Sequence, residues 1–537
     1  MGKEHGVILK KGFGGLSIAL GYPDSYYIGM SNLGFQSLYK IFNADGRAVC
    51  ERFFVGKKPI LPLCTIESKR KLGQFNMLAF SLSYELDAVN VLKALRLSGI
   101  KIRWKERNRL DPLVIVGGAY ASINPFPLMP FCDVFCLGDG EELAPAIIDI
   151  LCRCKNKEEA LEEFYQLDGF LVSKYYEIEG KPKKVLYVPD NAFQVLSSQI
   201  LTGDTEFADT HLIEIMRGCP NRCRFCWIGS FQLPWKIHSI DKIINALPLP
   251  DRQHSIPYAK VGLIAPSSTD HPHFIEIVKQ INNLGYKRIA FSSLKCDTFE
   301  DEYFKLIRDN NIKSITIAPE TGSEELRQVI NKPQINDQII FLCKKLAMNK
   351  VKYIKLYFML DVPGETESDL KATVELIKKI KETVTPYGTR INASFNYLIP
   401  KPNTPFQYAA MSEIPVLNKK ADFLHRELKQ IKEVKHIIMK PELAYYQALL
   451  ALGDENCADF LEELLERNGE WKSLVKEKLT CYQELLFHPD KKIREIPHQA
   501  VQSRFAENYL YGEYKKALKK QTTRSCPGTN CTMCGIC

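Results

Sequence analysis

The sequence contains no apolar run approaching the 18 or so residues needed to cross a bilayer, so no membrane partner is expected. Met1 to Lys11 is charged and lacks the apolar stretch of a secretory signal. Gly6 stands where a myristoylation motif needs Ser or Thr. A cytoplasmic protein is expected. Histidine is scarce, and none lies between His5 and His211, so that whole stretch offers no imidazole to a metal. No Ser/His/Asp hydrolase arrangement and no Walker phosphate loop is evident. Fixed-period repeats and low-complexity tracts are also missing, which sets aside solenoids and disordered arrays.

What is present is an ordinary globular balance of 45% hydrophobic and 25% charged residues, over 537 residues. That length predicts several domains. The formal charge of +9 is mild, and its excess gathers in the last fifth, at Lys491-Lys492, Lys515-Lys516 and Lys519-Lys520. Such lysines are solvated helix faces or a surface for nucleic acid or an acidic partner. Seventeen cysteines in a reducing compartment are poor disulfide candidates, so tight clusters of them read as metal ligands.

Residues 14 to about 150 alternate apolar strands with helical stretches: Gly15 to Gly21 before a helix near Asn32 to Phe42, Met77 to Ser83 before Glu85 to Ser98, Leu113 to Val116, and Val134 to Leu137 before Glu141 to Leu151. This predicts an α/β fold with a doubly wound parallel sheet. In such sheets ligands bind beyond the carboxyl ends of the strands. The turns at that edge carry Tyr22, Ser81, Ser83, Tyr84, Gly117, Gly118, Gly138, Gly140 and Glu141. After an irregular connector a second alternation predicts six strands, Leu212 to Met216, Lys260 to Ala265, Arg288 to Leu294, Ser314 to Glu320, Tyr353 to Leu360 and Asn392 to Ile399. Six successive βα units curl into an incomplete barrel with its working loops at the strand C-termini. The expected boundaries are 1–155 for the sheet domain, 156–204 for the connector, 205–410 for the barrel, 411–520 for a helical region and 521–537 for a Cys-rich tail.

Directly after the first barrel strand, Gly218-Cys219-Pro220-Asn221-Arg222-Cys223-Arg224-Phe225-Cys226 places three thiols within eight residues. Three thiolates hold three irons of a cubane and leave the fourth open, whereas electron-transfer clusters normally have four Cys ligands. The C-x3-C-x2-C spacing, with Phe225 before the last Cys, resembles the radical S-adenosylmethionine (SAM) superfamily. That resemblance implies a 4Fe-4S cluster on Cys219, Cys223 and Cys226 that binds SAM and cleaves it reductively to a 5′-deoxyadenosyl radical. It implies SAM contacts from Phe225, from Ser267 and Ser268 where many relatives carry a Gly-Gly-Glu that is absent here, and from Ser292 and Ser293. It also implies that Glu320 and Arg327, in Ile317 to Arg327, reach the SAM ribose and carboxylate. Leu360 to Thr366 and Pro400 to Phe406 complete the likeness.

The N-terminal unit resembles the cobalamin-binding domain of B12-dependent radical SAM proteins, specifically a bacterial and archaeal subfamily that combines such a unit, this barrel and a short Cys-rich tail. Cobalamin at the sheet edge is therefore implied, although the Asp-x-His-x-x-Gly motif whose His ligates cobalt is missing. Methylcobalamin supplies a methyl to the carbon that the radical activates, so the expected function is methyl transfer to carbon or phosphorus of a small molecule, a peptide or protein, or RNA. A flavodoxin- or ferredoxin-type donor would provide electrons. Cys526, Cys531, Cys534 and Cys537 form C-x4-C-x2-C-x2-C, a site for a second iron-sulfur cluster or zinc. The other cysteines, from Cys50 to Cys481, read as small buried hydrophobes. Two alternatives remain: radical chemistry without methyl transfer (rearrangement, ring formation or RNA methylthiolation), and an RNA- or ribosome-associated binding protein whose clusters are structural.

Overall fold

The computed structural model describes residues 3–10, 15–56, 61–179, 187–189, 192–248, 260–286, 288–291, 294–295, 300–488, 504–528 and 531–536. These fall into two compact units. The first comprises the described residues of Met1–His211 together with Leu449–Lys478. The second comprises those of Leu212–Ala448, Leu479–Arg494 and Arg504–Cys537.

The first unit is built on a six-stranded sheet in the order Ala48–Phe54, Leu16–Tyr22, Met77–Ser81, Leu113–Gly117, Val134–Cys136, Phe170–Val172. All neighbours run parallel except the last pair. Every residue of Leu16–Tyr22 is buried, which is why the strand reads as a continuous apolar run rather than an alternation. The helix Leu33–Ala44 starts where the Asn32 side chain accepts from the Phe35 amide. It lays Phe35, Tyr39 and Phe42 on the core formed by Ile18, Leu20 and Met77.

Strand Ala48–Phe54 was not expected from sequence, because Glu51 and Arg52 interrupt its apolar pattern, yet both are buried. Thr65 and Ser68 donate hydroxyls to Glu51, while Arg52 bonds Glu67 and Glu4 at 2.7 and 2.8 Å. Buried charges are tolerated when paired in this way. The expected connector is part of this unit: Phe170–Val172 pairs with Val134–Cys136, and Leu201–Thr202 with Glu4–His5. Residues 449–478 also return to it, with Asn124 donating to the carbonyls of Leu450 and Gly453 at 3.0 and 2.8 Å.

The second unit contains the six expected strands, observed as Thr210–Glu214, Lys260–Ile264, Arg288–Ala290, Ser314–Glu320, Tyr353–Leu360 and Arg390–Tyr397. They form an incomplete βα barrel, in which Ser314–Glu320, Tyr353–Leu360 and Arg390–Tyr397 are parallel neighbours. A seventh strand, Val434–Ile438, extends this ladder inside the region expected to be purely helical. Only Val434 of its five residues is buried, too weak a pattern to be read without its partner. In Tyr353–Leu360 the buried positions alternate with exposed ones, so Ile354, Leu356, Phe358 and Leu360 face inward. Among the described residues no helix is long and apolar enough to cross a membrane.

Candidate active site

Met216–Arg217 pairs antiparallel with Lys236–Ile237 and closes the loop that carries the three motif cysteines. Gly218 opens this loop at φ +73°, and a Cβ there would lie 2.1 Å from the Gln232 carbonyl oxygen, so only glycine fits. Cys226 is the N-cap residue of Trp227–Phe231, and the amides of Ile228 and Gly229 point at its sulfur. Asn221 donates to Cys219 Sγ at 3.5 Å and to Asp270 Oδ2 at 2.6 Å, tying the loop to the turn beyond the second strand.

Burial pushes the Cys219 thiol up to about 11 and raises Cys223 and Cys226 as well. Against that effect the Lys332 cation lowers Cys223 and Cys226, so it lies within electrostatic reach of both. A metal centre displaces such thiol protons outright. Three thiols on one loop would ligate three irons of a 4Fe-4S cluster and leave the fourth without a protein ligand.

Two further groups stand at this strand edge. A register shift between Ile317 and Glu320 re-aims the end of the fourth strand, and Glu320 sits at φ +65°. A non-glycine residue held there is a sign of functional constraint. Lys332 Nζ bonds Glu320 Oε1 at 2.9 Å and the Ala318 carbonyl at 2.6 Å. Sequence reasoning missed Lys332; its signal was that it and Arg327 are the two cations between 321 and 335. Ser268 Oγ is buried and has no partner among the described residues, an orphan that invites a ligand. Ser267 is buried beside it, and Phe225 packs against the cluster around Leu326 and Phe406.

Arg327 departs from its expected role. It is 0% exposed, and its guanidinium donates to the carbonyls of Pro319, Gln334 and Thr321 and to Asn336 Oδ1. It is a staple beneath the strand end rather than a group that reaches a ligand. Ser292 and Ser293 lie outside the described residues.

In the first unit Tyr22, Ser81, Ser83, Tyr84 and Gly117 do gather at the carboxyl edge of the sheet, where Asn32 donates to Ser83 Oγ at 3.3 Å. Three of the glycines there pack closely against the chain itself. A Cβ on Gly118 would lie 2.5 Å from the Leu82 carbonyl oxygen, on Gly138 2.5 Å from that of Val188, and on Gly140 2.5 Å from the Leu38 side chain. Glu141 lies in the first turn of Gly140–Arg153. A cavity of about 700 Å³ in this unit opens at the opposite edge, beside Leu16, Asn76 and Leu113. Among the described residues the one trio of metal-capable donors within 4.8 Å is Cys154, Glu159 and Glu163. Glu163 is already ion-paired with Arg153. Cys152 and Cys481 are exposed, against expectation.

The tail cysteines Cys526, Cys531 and Cys534 are buried, while Cys537 lies outside the described residues. The Cys526 amide donates to the Pro220 carbonyl at 2.8 Å, and Trp235 Nε1 donates to the Cys526 carbonyl at 3.1 Å. Arg222 reaches Tyr509 Oη at 2.5 Å, Met533 Sδ at 3.5 Å and Cys534 Sγ at 3.8 Å. Arg224, fully buried, pairs with Glu513 at 3.1 Å and donates to the carbonyls of Gln328, Val329 and Gln521. The tail is thus seated directly on the motif loop.

Residues 34–172 match the family model described as radical SAM proteins, N-terminal, and residues 213–377 match that of the radical SAM superfamily. An uncharacterised protein of Methanocaldococcus jannaschii is 29% identical over 77% of this chain and 86% of its own length. An uncharacterised methyltransferase of Pyrococcus horikoshii is 23% identical over 52% of this chain and 62% of its own. A tRNA-2-methylthio-N(6)-dimethylallyladenosine synthase of Acetivibrio thermocellus is 22% identical over 32% of this chain and 37% of its own. Among solved structures, the cobalamin-dependent SAM radical enzyme OxsB with aqua-cobalamin bound shares the fold at a TM-score of 0.52 and 13% identity, covering 95% of this chain and 85% of that one.

Proposed function

The chain belongs to the radical SAM superfamily, and from that premise we propose that it is a cobalamin-dependent methyltransferase acting on an unactivated carbon or on phosphorus. The observation that carries the reading is the trio Cys219, Cys223 and Cys226 within electrostatic reach of the Glu320–Lys332 pair, in a chain that shares the fold of OxsB. Cys219, Cys223 and Cys226 would hold a 4Fe-4S cluster, which would supply the one-electron reduction that cleaves SAM. Three thiolates leave one coordination position for SAM. Lys332 and Glu320 offer opposite charges to the two ends of its amino-acid zwitterion, and the hydroxyl of Ser268, which has no partner among the described residues, offers a hydrogen bond.

Cobalamin would be held at the first unit's sheet edge by Tyr22, Ser81, Ser83, Tyr84 and Gly117, in a stretch with no histidine between His5 and His211. A flavodoxin- or ferredoxin-type donor supplies electrons. The methyl acceptor is a small molecule, a peptide or protein, or RNA. A second reading, methylthiolation, draws on the Acetivibrio relative. Against it, Cys50 is packed into the apolar core of the first unit, with Ile18, Tyr39 and Met77 in the same cluster.

The test is anaerobic reconstitution with iron, sulfide and cobalamin, then incubation with reductant and SAM. The proposal requires 5′-deoxyadenosine together with S-adenosylhomocysteine. Substitution of all three motif cysteines by Ala should abolish both, and omission of cobalamin should remove S-adenosylhomocysteine alone. Formation of 5′-deoxyadenosine with corrin bound but no S-adenosylhomocysteine under any acceptor would refute methyl transfer. Salt-sensitive RNA binding without any SAM cleavage would instead identify a binding protein.

A further inference from the structure

In the second unit, the strands Tyr353–Leu360, Arg390–Tyr397 and Val434–Ile438 form a ladder with two faces of opposite character. One face is covered: Ile354, Leu356, Ile391, Ala393 and Val434 are buried. On that side Tyr397 donates to the Leu417 carbonyl at 3.0 Å and His436 meets His425 at 2.9 Å, both partners lying on the helix Ile414–Lys429. The other face presents two adjacent rows of side chains. In the first, Lys355 pairs in register with Asn392, and Asn392 with Lys435; in the second, two positions nearer the strand C-termini, Tyr357 pairs with Ser394, and Ser394 with Ile437. Lys355, Tyr357, Lys435 and Ile437 are exposed, while Asn392 and Ser394 are half-buried.

Neither row is explained by the stability of the ladder. Its three strands contain no Asp or Glu, so Lys355 and Lys435 have no counter-charge on them. Glu320, on the neighbouring strand, is held by Lys332 at 2.9 Å. A lysine on an edge strand such as Lys435 guards against stray pairing, but Lys355 stands on a strand with a neighbour on each side, where that need does not arise. Ile437 is 74% exposed and Tyr357 40%, two apolar side chains left in one row. Arg390, two positions before Asn392 on the same face, has the Glu433 carboxylate within electrostatic reach, so the uncompensated charge is that of the two lysines. Strands lie about 4.8 Å apart, which puts Lys355 and Lys435 roughly 10 Å apart across Asn392, and the Tyr357 row lies about 6.6 Å further toward the strand C-termini. Flexible four-carbon stems let both ammonium groups close on one anion.

We propose that this face holds the methyl acceptor and that the acceptor is a small aromatic anion. Its phosphate or carboxylate sits over Asn392 between Lys355 and Lys435, its ring lies against Tyr357 and Ile437, and its far end is directed at the strand C-termini, the edge at which Glu320 stands. The inference rests on the methyl-transfer reading above and adds the class of the substrate and the way it lies. Two cations in a single row match one anionic group rather than the repeating charge of a nucleic-acid backbone. The same pair rejects a cationic compound by like-charge repulsion, and a neutral one forgoes both charge-assisted bonds. The tyrosine ring offers a stacking face, and the isoleucine an apolar wall, to an aromatic body of about that size.

The experiment uses the full chain, reconstituted anaerobically, and measures binding by calorimetry. The probes are phenyl phosphate and benzoate, with inorganic phosphate, acetate and phenol as their separate halves. Phenyl phosphate or benzoate should bind at least about tenfold more tightly than any of the halves, and the tighter of the two identifies the anion. Lys355→Gln and Lys435→Gln should each weaken that binding about tenfold, with Lys355→Arg retaining most of it. Tyr357→Ser should weaken it about threefold or more. All four positions are at the surface, and circular dichroism confirms that the variants fold. The bound ring should shift the Ile437 δ-methyl resonance, assigned by its loss in Ile437→Val. Equal affinity for phenol and for the two anions, unchanged affinity in the Lys355→Gln/Lys435→Gln double variant, or an Ile437 methyl that does not move overturns the proposal. So does a single-stranded RNA oligonucleotide that displaces phenyl phosphate and binds at least about tenfold more tightly, since the face is then an RNA surface. Lysine-dependent binding in wild-type protein that yields no 5′-deoxyadenosine from SAM fails the radical SAM reading and not the binding face. Formation of 5′-deoxyadenosine without lysine-dependent binding fails the face alone.

Discussion

Arg224 lies between the motif cysteines Cys223 and Cys226 and all of its donor nitrogens are engaged, so its replacement tests how strongly the loop is clamped. Nε and Nη2 face Glu513 at 3.3 and 3.1 Å, Nη1 donates to Gln328 and Val329 at 3.0 Å each, and Nη2 also reaches Gln521 at 2.7 Å. Gln328 and Val329 end the helix Glu324–Val329, whose last carbonyls need donors. Arg224→Met leaves those carbonyls and one side of Glu513 without a partner. Breaking a buried pair costs about 3–5 kcal/mol. Lys516 and Thr523 still hold Glu513, which argues for the lower end. At about 1.4 kcal/mol per tenfold, 3 kcal/mol is roughly a hundredfold. Amide exchange in Glu324–Val329 and Tyr509–Leu518 should therefore accelerate about a hundredfold where it proceeds by local opening, with Arg224→Lys intermediate because the guanidinium fork is lost.

The effect should depend on pH in a fixed direction. Burial alone would raise the Glu513 carboxyl, but hydrogen bonds from Lys516 and Thr523 and the charge of Arg224 outweigh it and hold the group below its ordinary value. A depressed folded value stabilises above the unfolded pKa of about 4.3 and is lost as pH falls through the folded one. The contrast between wild type and Arg224→Met should be full at pH 7 and shrink below about pH 4. Exchange within threefold of wild type at pH 7, in about the conditions where the local opening dominates, would refute the clamp.

Gly218→Ala should prevent iron retention at the motif loop, because the new Cβ would sit 2.1 Å from the Gln232 oxygen; iron content after reconstitution decides it. Lys332→Met should keep the cluster and raise the KM for SAM about tenfold or more, the scale of one charge-assisted bond, whereas Arg327→Lys should act on thermal stability before it acts on KM. Asp87 is pushed up to about 7 by burial and then by Asp24 and Glu85. Its neutral form is favoured in the folded state, so its contribution is complete below about pH 4 and is lost as pH rises to 7. Asp87→Asn should stabilise the first unit by up to roughly 3–4 kcal/mol at pH 8 and by little at pH 4, read from thermal denaturation at the two pH values.

The cysteine triad was legible because cluster chemistry is written in local spacing, and the parallel strands because burial on both faces leaves unbroken apolar runs. Leu16–Tyr22 is of this kind, while Tyr353–Leu360 is readable from its alternation of buried and exposed positions. What stayed hidden depends on partners distant in sequence. Ala48–Phe54 looks unlike a core strand until Glu4, Glu67, Thr65 and Ser68 are seen around its charged pair. Arg327 reads as a ligand contact in the motif, but the carbonyls that occupy it belong to a fold no local pattern announces. Lys332 pairs with a carboxylate twelve positions earlier, across a helix. The residue packed beside Gly138, Val188, lies fifty positions on and is likewise invisible to local pattern.

The return of residues 449–478 to the first unit sets an order on biosynthesis. Asn124 and Arg103 wait for Leu450, Gly453 and Glu462 before their bonds can close. At translation rates of about 5–20 residues per second, the intervening stretch takes roughly 12–50 seconds to emerge from the ribosome. Through that interval the nascent sheet domain is unfinished on one flank, so chaperone occupancy of the growing chain is expected there, and expression of residues 1–211 alone is expected to give aggregates rather than a soluble module.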